Sequence, residues 1–163
     1  MGGDKKDKGK GKGASPDRGL AWRDEVLDDA KLEDVSIKRA RIVNASLQQL
    51  ALEDADATGA SLSNVKLDEA SVDDASAKKG VFRNVDFEGA SFDDVSFASA
   101  RFRNTSFEGA RLDDISLKDA RLDDVDLRGL SITNAKIEGL VIDGVRVDEL
   151  LAQAGKARTN EGG

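Results

Sequence analysis

Three short patterns place residues where they could do chemistry. Ser76-Ala77-Lys78-Lys79 has the Ser-x-x-Lys spacing in which a lysine amine can accept a serine proton and create a nucleophile. Asp54-Ala55-Asp56-Ala57-Thr58-Gly59 opens like a calcium loop, with carboxylates at the first and third positions and glycine at the sixth. Gly9, Gly11 and Gly13 stand in a basic run, as in loops that cradle phosphate. Each pattern lacks a required part. Nothing around Ser76 builds a shielded pocket, and the twelfth position of the calcium-like loop is Val65 rather than Glu. The glycine run has neither the P-loop spacing nor a strand before it, and reads as flexible linker. Paired acidic residues are abundant, but no apolar cleft separates the pKa values of two carboxyls as acid/base catalysis requires. The chain has no cysteine and no histidine, which removes thiol chemistry, disulfides, Cys/His zinc sites and a histidine base. The expectation is a protein that is not an enzyme, with no cofactor and no metal.

The elements that must position these residues follow from a period of five. From Ala30 to Glu149 the chain divides into twenty-four consecutive pentapeptides without insertion or deletion, such as Ala90-Ser91-Phe92-Asp93-Asp94 and Ala110-Arg111-Leu112-Asp113-Asp114. The third position is always apolar, from Leu32 and Ile37 to Val147, and the first is Ala, Val, Leu, Ile or Gly except at Thr105. Neither a 3.6-residue helix nor a two-residue alternation keeps that register. A fixed short repeat means a stack of identical units, each burying its apolar side against its neighbours.

These units resemble those of the pentapeptide repeat family, which read roughly Ala-(Asp/Asn)-Leu-x-x, over about three-quarters of the chain. The resemblance implies an all-β fold: a right-handed quadrilateral β-helix in which four pentapeptides make one coil. Twenty-four units then give about six coils and a rod about 29 Å long. Residues twenty apart should stack, pairing Phe82 with Phe102 and Phe87 with Phe107, while Phe92 and Phe97 complete an aromatic middle section. The column Ile37, Ala57, Ala77, Phe97, with Ala55 and Ala75 beside it, predicts a local void. Gly80, after Lys78-Lys79, reads as a turn glycine.

The organisation expected is a disordered Lys/Gly-rich tail over 1–19, an N-terminal cap over 20–29 built on Leu20, Trp22 and Val26, the solenoid over 30–149, and a short capping helix with a disordered tail over 150–163. Asp148 reads as the helix N-cap, and the helix is expected to close before Gly155. No secretory h-region, myristoylation pattern or run of ~20 apolar residues is present, so a cytoplasmic protein is expected.

Of the net charge of −7, residues 1–19 hold +3 and 151–163 hold +1, leaving −11 on 20–150. At twenty-residue spacing Glu33-Asp34, Glu53-Asp54, Asp73-Asp74, Asp93-Asp94 and Asp113-Asp114 form a ladder of ten carboxylates, ending in Thr133-Asn134. The preceding face adds Asp28, Asp68, Glu88, Glu108 and Asp148. Lys38, Lys78, Lys118, Arg39 and Lys79 mark another face, and Arg41, Arg83, Arg101, Arg103 and Arg121 the next. Asn44, Asn64, Asn84 and Asn104 predict an amide ladder supporting a turn. A charge of −11 over about 31 Å is one per about 2.8 Å, against one per ~1.7 Å in duplex DNA.

Some members of the family resemble DNA in shape and charge and bind DNA gyrase or topoisomerase IV, protecting it from quinolones. The resemblance therefore implies a protein partner, a type II topoisomerase, met through the acidic ladder. It implies no direct nucleic-acid binding by the solenoid. Two features depart from those members: the C-terminal helix is short for their dimer-forming module, and basic faces dilute the mimicry. The alternative is a scaffold rod for protein–protein interaction, tethered to an anionic surface by the basic N-terminal tail. End-to-end homodimerisation fits either reading.

Overall fold

The computed structural model describes residues 21–160. One backbone feature recurs throughout: every fifth residue from Asp24 to Gly144 has a positive φ, between 47° and 82°. That left-handed region is open to glycine and, at lower cost than for other side chains, to Asn and Asp. The sequence obeys this. Of the twenty-five positions, nine are Asp, five Asn and six Gly. Each but Gly144 turns a corner of the coil and keeps the first and third residues of the unit facing inward. Alternate corners are closed by a hydrogen bond from the first residue of the next unit to the third residue's carbonyl, as from Ala60 N to Ala57 O (2.9 Å) and Ala100 N to Phe97 O (2.9 Å). With positive φ at the third of the four turn residues, these corners have the signature of type II turns.

The strands between the closed corners are β1 (Ala21–Arg23), β2 (Lys31–Glu33), β3 (Arg41–Ser46), β4 (Ala51–Asp56), β5 (Ser61–Lys66), β6 (Ser71–Ser76), β7 (Val81–Asp86), β8 (Ser91–Ser96), β9 (Arg101–Ser106), β10 (Arg111–Asp113), β11 (Arg121–Asp126), β12 (Ser131–Thr133), β13 (Val141–Ile142) and β14 (Val145–Arg146), followed by α1 (Val147–Asn160). Odd-numbered strands β1 to β13, with β14 added, form an eight-stranded sheet, and the even-numbered strands β2 to β12 a six-stranded one. Pairing is parallel with partners twenty residues apart, as in Ile42↔Leu62 and Leu52↔Val72. The chain is thus a β-solenoid of about six turns, and among the described residues no helix is long and apolar enough to cross a membrane.

The coil's axis is the core. Phe82 and Phe102 stack at 4.6 Å and 7°, Phe87 and Phe107 at 5.0 Å and 20°, and Phe92 meets Phe97 edge-on at 5.4 Å. Gly80 is the fourth residue of a closed corner, its N–H donating to the Ala77 carbonyl (3.1 Å), while the positive φ of that corner falls on Lys79. It takes an inward first position, where a methyl group would lie 2.7 Å from the Phe82 ring and 2.9 Å from the Ala77 carbonyl oxygen. The missing side chain makes room for Phe82. Where the alanine column runs, an apolar cavity of about 80 Å³ opens, with Leu52, Ala57, Ala75 and Ala77 in its wall. Thr105 replaces valine in the inward column that contains Val85 and Val125. It is 3% exposed, and its hydroxyl has no hydrogen-bond partner among the described residues.

Both ends differ from the sequence expectation. Trp22 pairs in register with Ile42 and Leu27 packs on the core, so residues 21–29 continue the coil. Val26 points outward and is 71% exposed, because it occupies a second position. Leu20 and the tail over 1–19 lie outside the described residues. At the other end Asp143 and Gly144 both have positive φ, 45° and 82°, as a two-residue type I′ hairpin requires. β14 therefore folds back antiparallel on β13, with Ile142 opposite Val145, and covers the last edge of the larger sheet. The repeat pattern persists to Glu149, but the coil ends here. The helix does not close before Gly155; it begins at Val147 and runs to Asn160. Asp148 lies in its first turn and reaches back, accepting from Gly139 N (3.0 Å) and from the Arg146 guanidinium (2.7 and 3.0 Å). The guanidinium, and then the Gly139 amide, hold its carboxyl well below the usual range.

Thr105→Val keeps the shape and removes the unpaired hydroxyl, so it is expected to raise stability by about 1 kcal/mol or more in denaturant unfolding. An unchanged midpoint would mean that the hydroxyl is satisfied. Ala77→Leu is expected to gain up to about 2 kcal/mol by refilling the cavity. A lower melting temperature would show that the walls have no room for it.

Candidate functional site

The outward second and fourth positions carry no inward constraint, so their residue types are free for surface use. On the six-stranded sheet the fourth positions align in register: Glu33 with Glu53, Glu53 with Asp73, Asp73 with Asp93, and Asp93 with Asp113. The adjoining corner residues Asp34, Asp54, Asp74, Asp94 and Asp114 form the second column. The ten sequence-predicted carboxylates are thus brought together as two parallel rows. A shallow groove of about 570 Å³ runs beside them, with Asp34, Asp54, Asp74 and Asp94 along one wall.

Compensation is confined to the ends of the ladder. Lys31 Nζ lies 2.6 Å from Glu33 and 3.5 Å from Glu53, and its amine lowers the Glu33 pKa. At the far end Asp113 Oδ1 accepts from Thr133 Oγ1 (2.6 Å) and Asn134 Nδ2 (3.0 Å), which lowers its pKa as well. Between them Asp73, Asp74, Asp93 and Asp94 have no cationic partner among the described residues. The strain of this crowding appears at Asp74, whose pKa is raised by a hydrogen bond to the Asp54 carboxyl and by that carboxylate's charge.

The preceding face is not a second open ladder. Gln48 stands between Asp28 and Asp68, its amide N–H donating to Asp28 (3.0 Å) and its Nε2 to Asp68 (2.6 Å). Arg128 neutralises Glu108 (2.6 Å) and Asp126 (2.6 Å), while Asp148 belongs to the helix junction. These interruptions could have been found in the sequence by reading Gln48 and Arg128 as members of the column.

The larger sheet carries the opposite character. Arg41, Arg83, Arg101, Arg103 and Arg121 are exposed on it and form no ion pair among the described residues. Beside them runs the amide ladder: Asn64 donates to Asn44 (2.9 Å), Asn84 to Asn64 (2.8 Å) and Asn104 to Asn84 (2.8 Å), ending where Asn44 donates to Asp24 (3.1 Å).

The Ser76/Lys79 and Asp54–Gly59 patterns are absorbed by the coil, while the Gly9, Gly11 and Gly13 run lies outside the described residues. Ser76 Oγ lies 3.0 Å from Thr58 Oγ1, and Lys79 is a corner residue. Asp56 takes the Lys38 ammonium at 2.9 Å and the Thr58 amide at 3.1 Å, and the ammonium foremost lowers its pKa to about 2. Among the described residues no cluster of three or more Asp or Glu side chains is arranged to hold a metal ion.

Family models coincide with this repeat along most of the coil: one described as a pentapeptide repeat region over residues 81–153, and one of eight pentapeptide repeats over 36–74 and 45–84. The chain belongs to the pentapeptide repeat family. Solved structures similar to this pentapeptide repeat protein include HetL from the cyanobacterium Nostoc, 18% identical over 77% of this chain and 73% of that one, with a TM-score of 0.27. Rfr23 from the cyanobacterium Cyanothece is 19% identical over 72% and 88%, with a TM-score of 0.28. QnrB1, described as a plasmid-mediated fluoroquinolone resistance protein, is 13% identical over 83% and 98%, with a TM-score of 0.36. No curated protein sequence matches the chain.

Because Asp74 binds its proton more tightly in the fold than in the unfolded chain, its ionisation opposes folding above its raised pKa and ceases to do so as the pH falls through it. Asp74→Asn is therefore expected to melt higher than the parent at pH 7 in low salt, with the difference shrinking as the pH approaches 4. Equal melting at pH 7 would show that the ladder is fully screened.

Proposed function

We propose that this pentapeptide repeat protein is a non-catalytic binding protein whose acidic ladder imitates a short DNA segment and occupies the DNA-binding groove of a type II topoisomerase. The observation that carries the reading is where the carboxylates stand. Corner geometry accounts for a short polar side chain at the fifth position, yet between Asp24 and Asp124 the larger sheet meets the same need with neutral Asn44, Asn64, Asn84 and Asn104. It gives no reason for the fourth-position column Glu33, Glu53, Asp73, Asp93 and Asp113, since the equivalent column on the larger sheet runs Arg23, Val43, Ser63, Arg83, Arg103 and Asp123, with one carboxylate in six. Like charges one coil apart, about 4.8 Å, repel. A ladder kept acidic in both columns against that repulsion suits a cationic partner groove.

In this reading the protein works in the cytoplasm, where topoisomerase and DNA meet, and the solenoid does not itself bind nucleic acid. The basic residues of 1–19 supply a tether to anionic surfaces. An end-to-end pair of rods is supported by the apolar residues left open at the C-terminal end: Val145 (51% exposed), Leu150 (53%) and Leu151 (55%).

The test is a DNA supercoiling assay with purified gyrase, with and without a quinolone. The protein is expected to inhibit supercoiling or protect the enzyme at micromolar concentration. The variant Asp73→Asn, Asp74→Asn, Asp93→Asn, Asp94→Asn should lose at least about tenfold in potency while keeping its fold, since asparagine already serves at equivalent corners. No effect of the native protein, or equal potency of the variant, would remove this reading. Loss of partner capture on deleting residues 1–17 alone would favour the scaffold.

A further inference from the structure

The interior holds a feature that the acidic face does not use. The apolar cavity of about 80 Å³ follows the axis from Trp22 to Phe97. Its wall contains apolar side chains only, the smallest being Ala57, Ala60, Ala75 and Ala77. The inward third positions Leu52, Ala57 and Ala77 stay half-buried in the middle of the rod, whereas Ile42, Leu47, Leu62, Leu67 and Val72 around them are buried. Backbone groups along this stretch bond to the neighbouring coils, as Ala57 N does to Ser76 O (2.7 Å) and Ala77 N to Ser96 O (2.8 Å).

Water gains little in such a space. A buried water needs about three polar partners, and apolar cavities without them stay dry. Atoms lining a dry void also lack dispersion contacts on one side, which a guest of the right size restores. Size then selects the guest. Cavities of about 150 Å³ with similar walls admit benzene or xenon; at about 80 Å³ this one is too small for an aromatic ring and large enough for a single heavy atom or a very short alkane.

We propose that the rod's interior between Trp22 and Phe97 is a binding site for small apolar guests, of the size of xenon or a one- to three-carbon alkane. It is separate from the acidic ladder, which lies outside the coil. Only the half of the rod with the alanine column carries it, because Phe97 fills that column one coil further on and Leu117 continues it, each 2% exposed.

The experiment is methyl NMR of the full chain under increasing xenon pressure, with Ala77→Leu and Phe97→Leu alongside. Saturable shifts are expected at the methyls of Leu52, Ala57, Ala75 and Ala77, and none at Leu112, Ile115 or Leu117. Ala77→Leu should weaken binding by about tenfold or more, and Phe97→Leu, which lengthens the cavity, should strengthen it. Ala57→Leu replaces Ala77→Leu if the latter fails to fold. Absence of saturation, equal shifts in both halves of the rod, or unchanged binding in the filled variant would overturn the proposal.

Discussion

The left-handed corner at every fifth residue is the constraint on which the rest of this structure depends. It bends the chain after each five residues, so that the first and third side chains face the axis and the second and fourth face solvent. A non-glycine residue in that conformation is strained by roughly 1–3 kcal/mol. The coil sustains so many corners because each adds in-register hydrogen bonds to the coils above and below, and because Asp, Asn and Gly occupy most of them. Core, edges and surface rows all inherit their positions from this one repeat.

Stacking at twenty-residue intervals turns a choice of residue type into a line of identical groups. In the interior this produces the phenylalanine stacks, and also the cavity where alanine recurs. On the surface it produces an amide ladder that is self-satisfied and an acidic ladder that is not. Asparagine carries both a donor and an acceptor, so a column of it bonds to itself. A carboxylate only accepts, and a column of carboxylates must find protons, cations or a partner. Lys31 and the Thr133-Asn134 pair relieve the two ends, leaving the middle coils as the part with charge to offer.

Much of this was legible in the sequence because the period is short and unbroken. The inward third positions, the pairing of Phe82 with Phe102, the asparagine column and the alanine void all follow from counting by twenty. Gly80 does serve a turn, as expected, but the reason for glycine there is the Phe82 ring against it rather than a positive φ, and a contact between side chain and backbone is not visible in a repeat pattern. Val26 was misplaced by judging apolarity without register. The hairpin at Asp143-Gly144 was hidden because Val145 and Val147 continue the apolar pattern after the backbone has left the coil. The second acidic face was read as open because only its acidic members were counted; Gln48 and Arg128 stand in the same twenty-residue column and interrupt it. The identity of a partner lies outside what the repeat encodes, since the coil tolerates many residues at its outward positions.

The most direct measurement compares gyrase binding by two variants that remove equal charge from the ladder. One carries Asp73→Ser, Asp93→Ser and Asp113→Ser at fourth positions, and the other Asp54→Asn, Asp74→Asn and Asp94→Asn at corners. If the fourth-position column is there for recognition, the first variant loses most of the affinity and the second retains more of it, with both keeping the parent's circular-dichroism spectrum. Equal losses would show that only total charge matters, and undiminished binding by the first variant would contradict recognition through the ladder.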